Sequence, residues 1–534
     1  MNEEKNNIPE KKRSTSPKDP RRREVLKSLA TLPFAGALFY GAFRKKQFEH
    51  YKHNKLLQTL SLGTREDQPV YAPPVRKEGE SVLGIGVIGT GSRGIDLMRS
   101  AGFIHPSLMD EWVKEKRINR QDNRLDIFMG QEDLNICVNG VCDVFTVHQQ
   151  KALDASANIY RNGKDGKKGS PAKIYKDYRD LLKARDIDAV IIATPDHWHA
   201  QMVIDAAKAG KHIYLEKPMS LTVEETLAME EAVRENDVVF QVGHQNRQIE
   251  SHERAKEVIR KNILGKITLI ETFTNRNSPE GAWVYDIDPR ANPHTVDWQR
   301  FLGSAPPHPF SAERFYRWRC WWDYSTGLTG DLFTHEYDAI NQVMHLGIPD
   351  SAAATGGIYF FKDGRTVPDV MHVSFEYKKL DLNLLYSATL ANSRNRKKSF
   401  FGNDGFMELD QDLVVYADRD SIKYKEAIDD GVIPTERPMV THIPGESDID
   451  AITSATQQYF ASRGLLFTYR GGRQVDTAHL HIKEWIDAIR NGSEVSCGIQ
   501  EGVEEAITAH MGTVSYRKGQ KVFWDADKKQ IVTS

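Results

Sequence analysis

The chain has 534 residues, enough for two folded units each with its own core. Its 72 lysines and arginines nearly balance 74 aspartates and glutamates, for a formal net charge of −2, which excludes an electrostatic nucleic-acid binder and points to a small-molecule partner. The four cysteines, Cys137, Cys142, Cys320 and Cys497, form neither a C-x-x-C pair nor a zinc spacing, so no disulfide framework is expected.

Residues 1–20 are polar, charged and proline-containing, a composition that buries too little apolar surface to fold. Arg21-Arg22-Arg23 then precedes an uncharged, mostly apolar run from Ser28 to Phe43, which resembles a twin-arginine export signal with Arg22 and Arg23 as the pair. The run is shorter than the roughly 20 residues of a membrane span. Ala35-Gly36-Ala37 has the small-residue form of a cleavage site, whereas Arg44-Lys45-Lys46 would suit an uncleaved anchor. The expectation is a periplasmic or exported protein, with residues 1–46 as signal or anchor and the twin-arginine machinery as a partner. Residues 47–80, marked by Pro69, Pro73 and Pro74, read as an arm or linker.

Residues 81–243 read as a doubly wound α/β unit. The apolar stretch Ile85 to Ile88 runs into Gly89-Thr90-Gly91-Ser92-Arg93-Gly94, a G-x-G-x-x-G turn. In that turn the first glycine permits a tight bend, the second a close approach to a pyrophosphate, and the third close packing of helix on strand. A second strand, Ile136 to Cys142, ends on Asp143, where a ribose-binding acid belongs. An insertion from Phe103 to Leu134, with a helix over Leu108 to Lys116, explains the long interval before it. After the loop 162–169 come a helix over Tyr175 to Leu182, a buried strand from Asp188 to Pro195 and a helix from Gln201 to Ala209. A strand over His212 to Leu215, a helix from Val223 to Glu235 and a strand from Val238 to Val242 complete the unit. Cys137 and Cys142 read as buried strand residues, and His197 and His199 as caps of the helix that follows them.

Residues 244–534 read as an α+β domain. Lys266 to Thr274, Thr355 to Phe361, Val370 to Tyr377 and Leu382 to Ala388 alternate like strands of a mainly antiparallel open sheet. Two helices, Thr477 to Arg490 and Glu501 to Tyr516, are expected to pack back on the body.

The stretch Ala193-Thr194-Pro195-Asp196-His197-Trp198-His199, followed by Leu215-Glu216-Lys217-Pro218, resembles the glucose-fructose oxidoreductase, inositol dehydrogenase and MocA-like family. The likeness runs from about Leu83 to Trp524 and is nearest to the exported, sugar-acting branch, which includes NAD-dependent N-acetylgalactosaminidases. It implies that Gly89, Thr90, Gly91, Ser92, Arg93 and Gly94 hold the pyrophosphate and Asp143 the adenosine ribose. Thr194, Pro195 and His199 would line the cofactor groove, with Glu216 and Lys217 beside the nicotinamide. Asp143 favours NAD, because an acid repels a ribose phosphate, while Arg93 leaves NADP open. The resemblance also implies a homo-oligomer and a sugar or glycoside substrate.

The family's second mark, D-x-x-x-H on a helix, reads Asp331-Leu332-Phe333-Thr334-His335, and i, i+4 spacing on an α-helix puts Asp331 and His335 on one face. Oxidising a sugar alcohol needs a base within hydrogen-bond reach of the hydroxyl. Imidazole has an ordinary pKa near 6.5 and lysine one near 10.4, so His335 is the preferred base and Lys217 the residue that grips the hydroxyl; the reverse assignment stays open. Trp318, Trp321 and Trp322, with Arg317, Arg319 and Asp323 beside them, are candidates for stacking on a sugar or for an interface, and Trp283 and Tyr285 lie in a loop that can reach the same cleft. No third ligand joins Asp331 and His335 by spacing, so no metal is expected. Three functions compete: net oxidation of a secondary hydroxyl, glycoside cleavage through transient oxidation and elimination, and sugar binding without catalysis.

Overall fold

The computed structural model describes residues 81–157, 170–444, 467–470 and 473–533, with scattered positions between 44 and 61. Residues 1–64 and 65–534 form two units, and of the first only helical positions between Arg44 and Leu60 and a turn at Ser61 are described. The Arg22-Arg23 pair, the apolar run 28–43, the prolines at 69, 73 and 74 and the loop 162–169 lie outside the described residues. Among those described, no helix is long and apolar enough to cross a membrane.

The second unit opens with β1 (Leu83–Ile88), β2 (Ile136–Cys142), β3 (Lys173–Tyr175), β4 (Ala189–Ile192), β5 (His212–Leu215) and β6 (Phe240–Val242). They form one parallel sheet in the order β3-β2-β1-β4-β5-β6. The chain reverses direction across the sheet between β1 and β4, and in such sheets ligands bind in the crevice beyond the strand ends at that switch. Helices α1 (Ser92–Ser100), α2 (Pro106–Ile118), α3 (Arg124–Met129), α4 (Thr146–Ser156), α5 (Tyr178–Leu182), α6 (Asp196–Lys208) and α7 (Val223–Glu235) accompany it. The insertion after α1 carries both α2 and α3, which close over Ile104, Met109, Trp112 and Phe128.

Three local expectations need correction. Tyr175 ends a strand, and the helix begins only at Tyr178, where the Asp177 carboxylate caps the Arg179 N–H. Helix α6 starts at Asp196, directly after Pro195, so His197 and His199 are buried inside it instead of capping it. The strand expected over 355–361 is β8 (Ser351–Gly357). Beyond Gly357 the ladder is broken because the Asp369 carboxylate accepts the N–H groups of Tyr359, Phe360 and Phe361 at 2.8, 2.8 and 2.6 Å. Cys142 is buried, but Cys137 is only half-buried.

The larger sheet adds β7 (Ile267–Asn275), β9 (Val370–Tyr377), β10 (Leu382–Thr389), β11 (Lys398–Gly402), β12 (Gly405–Leu409), β13 (Leu413–Ala417) and β14 (Val440–His442). A separate pair is β15 (Phe467–Arg470) with β16 (Arg473–Asp476), and β17 (Val522–Asp525) with β18 (Gln530–Val532) closes one edge of the larger sheet. Every pairing in that sheet is antiparallel except β7 with β10. Strand β9 shows the cause: Met371, Val373, Phe375 and Tyr377 are buried on one face, at the period of two that a one-sided sheet requires.

The longer helices beyond the parallel sheet are α8 (Glu250–Arg260), α9 (Thr334–Met344), α10 (Thr477–Asn491) and α11 (Ile499–Lys518). Although α10 lies late in sequence, its Ile482, Trp485 and Ile486 share the core of β1 and α1 with Ile85, Val87 and Leu97. On α11, Gly502 packs where a Cβ would stand 2.8 Å from Val242, so this helix seals the end of the parallel sheet.

Candidate active site

The glycine turn is built by close backbone approach. Gly89 has φ +82°, and a Cβ there would stand 2.6 Å from the Ala193 carbonyl; a Cβ on Gly94 would stand 2.1 Å from the Gly89 carbonyl oxygen. Gly91 differs. The nearest atom to a Cβ there is in His148, at 3.6 Å, so the protein itself has room for a side chain. The turn delivers Gly91, Ser92 and Arg93 to the start of α1, where unpaired N–H groups favour an anion. A cradle that leaves space at its middle glycine and ends at a helix N-terminus fits a dinucleotide pyrophosphate.

Asp143 is placed at the end of β2, beside this turn. One carboxylate oxygen accepts the Thr90 N–H at 2.7 Å, and the other accepts the Phe145 N–H at 2.9 Å and lies 3.5 Å from His148. Burial works against its charge, but His148 and the two N–H groups prevail and hold it below the ordinary carboxylate range. Asp143 therefore fixes the turn as well as standing where a ribose would lie. Thr194 and Pro195 are half-buried at the end of β4. His199 does not offer a ring nitrogen to a ligand. Its Nδ1 and Nε2 lie 2.7 and 2.8 Å from the carbonyls of Pro218 and Thr194, so it ties the two loops that border the groove.

Glu216 and Lys217 follow β5. The Glu216 carboxylate accepts from Arg93 Nε at 2.7 Å and Gln245 Nε2 at 3.1 Å. Arg93 is thus engaged by an acid through its Nε–H. Lys217 Nζ donates to the Asp331 carbonyl at 2.6 Å and to its carboxylate at 3.1 Å. An ammonium has three N–H donors, which leaves one for a ligand.

Asp331 sits in a π-helical turn, Thr329–Phe333, directly ahead of α9, not on an ordinary α-helical face. Such a turn is typical of functional sites. Within it Gly330 lies where a Cβ would overlap the Thr326 hydroxyl at 1.6 Å. The Asp331 carboxylate is fully engaged, accepting from Lys217, from Arg319 Nε at 2.9 Å and from Trp283 Nε1 at 3.0 Å. Burial would raise its pKa, but Lys217 and Arg319 reverse that and hold it far below the usual range. Asp331 is therefore the counter-ion that fixes Lys217.

His335 lies one turn further on and is half-buried. Its Nδ1 is buried without a partner. Burial first, then the charge of Lys217 and that of His244, hold the imidazole well below 6.5, so it is neutral and able to accept a proton. A cation with a free donor and an uncharged base stand together at the seam between the two sheets.

The aromatic run divides. Trp318 is half-buried with Arg319 over its ring at 4.2 Å, which joins it to Asp331. Trp321 is buried beneath Arg314, at 4.9 Å, and offers no face to a sugar. Trp322 packs toward Tyr516 and Arg517, away from that ion pair. Asp323 is taken by Arg314 at 2.9 Å and His308 at 3.3 Å. Asp196 was not anticipated. One of its oxygens accepts the Thr326 N–H and hydroxyl at 3.0 Å each, the other is buried without a partner, and burial, then Asp331, pushes its carboxyl up to about 7. A buried acid one residue after a strand-ending proline looks in sequence like a helix cap, which is why it escaped notice.

Comparison with known proteins agrees with this layout. A family model described as "Oxidoreductase family, NAD-binding Rossmann fold" matches residues 142–244, and its companion, "Oxidoreductase family, C-terminal alpha/beta domain", matches residues 249–347. Levoglucosan dehydrogenase of Pseudarthrobacter phenanthrenivorans is 31% identical over 191 residues, covering 34% of this chain and 42% of that protein. The NAD(+)-dependent scyllo-inositol 2-dehydrogenase of Bacillus subtilis is 40% identical over 99 residues, 18% of this chain and 29% of that one. The chain thus spans less than half the length of these two relatives. A solved structure of levoglucosan dehydrogenase in complex with NADH shares the fold, with a TM-score of 0.55 at 19% identity over 83% of this chain and 99% of the other.

Proposed function

Because the chain belongs to the glucose-fructose oxidoreductase, inositol dehydrogenase and MocA-like family, we propose that it oxidises a secondary hydroxyl of a sugar or glycoside with NAD as hydride acceptor. The observation that carries this reading is Lys217, held by Asp331 with one N–H to spare, beside the neutral imidazole of His335. NAD, when bound, supplies the acceptor for the hydride leaving carbon. Lys217 grips and polarises the hydroxyl, and His335 Nε2 takes its proton. Asp331 holds Lys217 in place, and Trp318 offers its ring to the sugar. Relatives named for levoglucosan and inositol support a cyclic polyol or pyranoside as substrate, and a glycoside oxidised in its ring fits that class.

Incubating the purified protein with a panel of glycosides and weighing the products tests the reading. Loss of two hydrogens is expected. Free sugar without net oxidation would show instead that the oxidation is transient and serves cleavage, and no change in any glycoside would refute both. Export by the twin-arginine route, with NAD tightly held in an already folded cargo, belongs to the same reading and rests on Arg22 and Arg23. Lysine at both positions should keep the protein in the cytoplasm, and unchanged export would refute that part alone.

A further inference from the structure

Behind His335 lies a buried set of ionisable groups with no part in the scheme above. His244 follows β6 and is fully buried; its Nε2 stands 2.5 Å from Glu505 on α11 and its Nδ1 3.9 Å from Asp338 on α9. Arg247 pairs with the other oxygen of Asp338 at 2.7 Å and also donates to the Ser496 carbonyl. The His244 ring meets that of His335 edge to face, with centroids 5.6 Å apart and planes at 83°.

One ligand atom from each of His244, Asp338 and Glu505 lies within 4.8 Å of the others, a spacing that a divalent cation can use. Charge decides against it. Arg247 balances Asp338, and a proton on His244 balances Glu505, so the cluster is neutral as it stands. A dication would displace the His244 proton and still leave one further positive charge beside Arg247 in a buried site. Burial would strip His244 of its proton, but Glu505 and then Asp338 outweigh it and raise its pKa above 6.5, with Arg247 opposing.

We propose that His244, kept charged by Glu505, is a positioning residue that acts through His335 as a fixed buried cation keeping that imidazole an uncharged proton acceptor. The role of His335 as base rests on the reading above; the effect of His244 on His335 does not. The groups facing His335 are Lys217 after β5, His244 after β6, Asp331 in the π turn and Arg93 on α1, and only Asp331 favours its protonation. Those facing His244 are Glu505, Asp338, Arg247 and, more weakly, His481. Asp331 is already spent on Lys217 and Arg319, so the positive neighbours win.

Titration of the histidine ring carbons by NMR in full-length protein tests the proposal, with the His335 signal assigned by its loss in His335→Gln. Glu505→Gln removes the acid that keeps His244 charged, and His244→Gln removes the charge itself. Both should raise the midpoint of His335, His244→Gln by about one pH unit and Glu505→Gln by less, because loss of the acid discharges both members of the pair. Glu505→Asp should keep the wild-type midpoint. An unmoved His335 midpoint in either folded glutamine variant overturns the proposal, and so does a stoichiometric divalent ion whose removal by chelation shifts that midpoint. If one variant fails to fold, the other carries the test. The pH profile of kcat/KM separates the two readings: its acidic limb should move up with the NMR midpoint. A limb that stays while the midpoint moves supports the tuning and removes His335 as base.

Discussion

The two sides of the cleft are held by different means. The cofactor side is backbone: Gly89 and Gly94 leave no room for a Cβ, and the start of α1 presents N–H groups whatever the neighbouring side chains are. The substrate side is side chain: Lys217, Trp283 and Arg319 come from three separate segments and converge on the carboxylate of Asp331. A backbone site is fragile to one added methyl and tolerant of charge changes, whereas a converged ion cluster has the opposite sensitivities.

The sharpest way to break this contrast is in the turn. Gly94→Ala should abolish NAD retention and lower Tm, because its Cβ meets the Gly89 carbonyl oxygen at 2.1 Å with backbone on both sides. Gly91→Ala should keep its Tm and yet lose most bound NAD, since only the ligand needs that space. Cofactor content after denaturation, read beside a melting curve, checks both.

On the other side, Lys217→Ala should slow turnover by about 10²–10⁴-fold and raise KM while sparing bound NAD. Asp331→Asn should act more through stability, since Lys217 and Arg319 are left without their buried partner at a cost of about 3–5 kcal/mol. The sign with pH follows from the depressed carboxyl. Its stabilisation is complete above the unfolded value near 3.8 and declines progressively as pH falls toward the far lower folded value, so the gap between wild type and variant should narrow in acid. Urea melts at neutral pH and below pH ~3 give the comparison. The smallest effects belong to the tryptophans. Trp318→Ala should raise KM by about 3- to 10-fold, as a stacking face is worth about 1 kcal/mol. Trp321→Ala should lower Tm, and Trp322→Ala should change KM little.

The same contrast explains what was legible in the amino-acid sequence. The glycine turn is contiguous, and its geometry is dictated by residue type, so it reads directly. Helix α7 reads as well, because Thr222 caps it and its apolar period is clean, and β9 alternates without a break. Asp331 and His335 read as a pair, but an α-helical spacing rule carries no sign of a π turn, and nothing local says that Arg319 and Trp283 will consume the acid. His244 and Glu505 lie in different elements far apart in sequence, and only the packing of α11 against the end of β6 brings them together. Of the three tryptophans, sequence shows the cluster but not which ring faces the cleft.

The central claim is that a neutral His335 takes the proton while Lys217, fixed by Asp331, holds the hydroxyl. Single-turnover reduction of bound NAD by His335→Ala tests it most directly. The variant should fold and keep its NAD but reduce it about 10²–10⁴-fold more slowly than wild type. Reduction at a near-normal rate would contradict the account and transfer the role of base to Lys217.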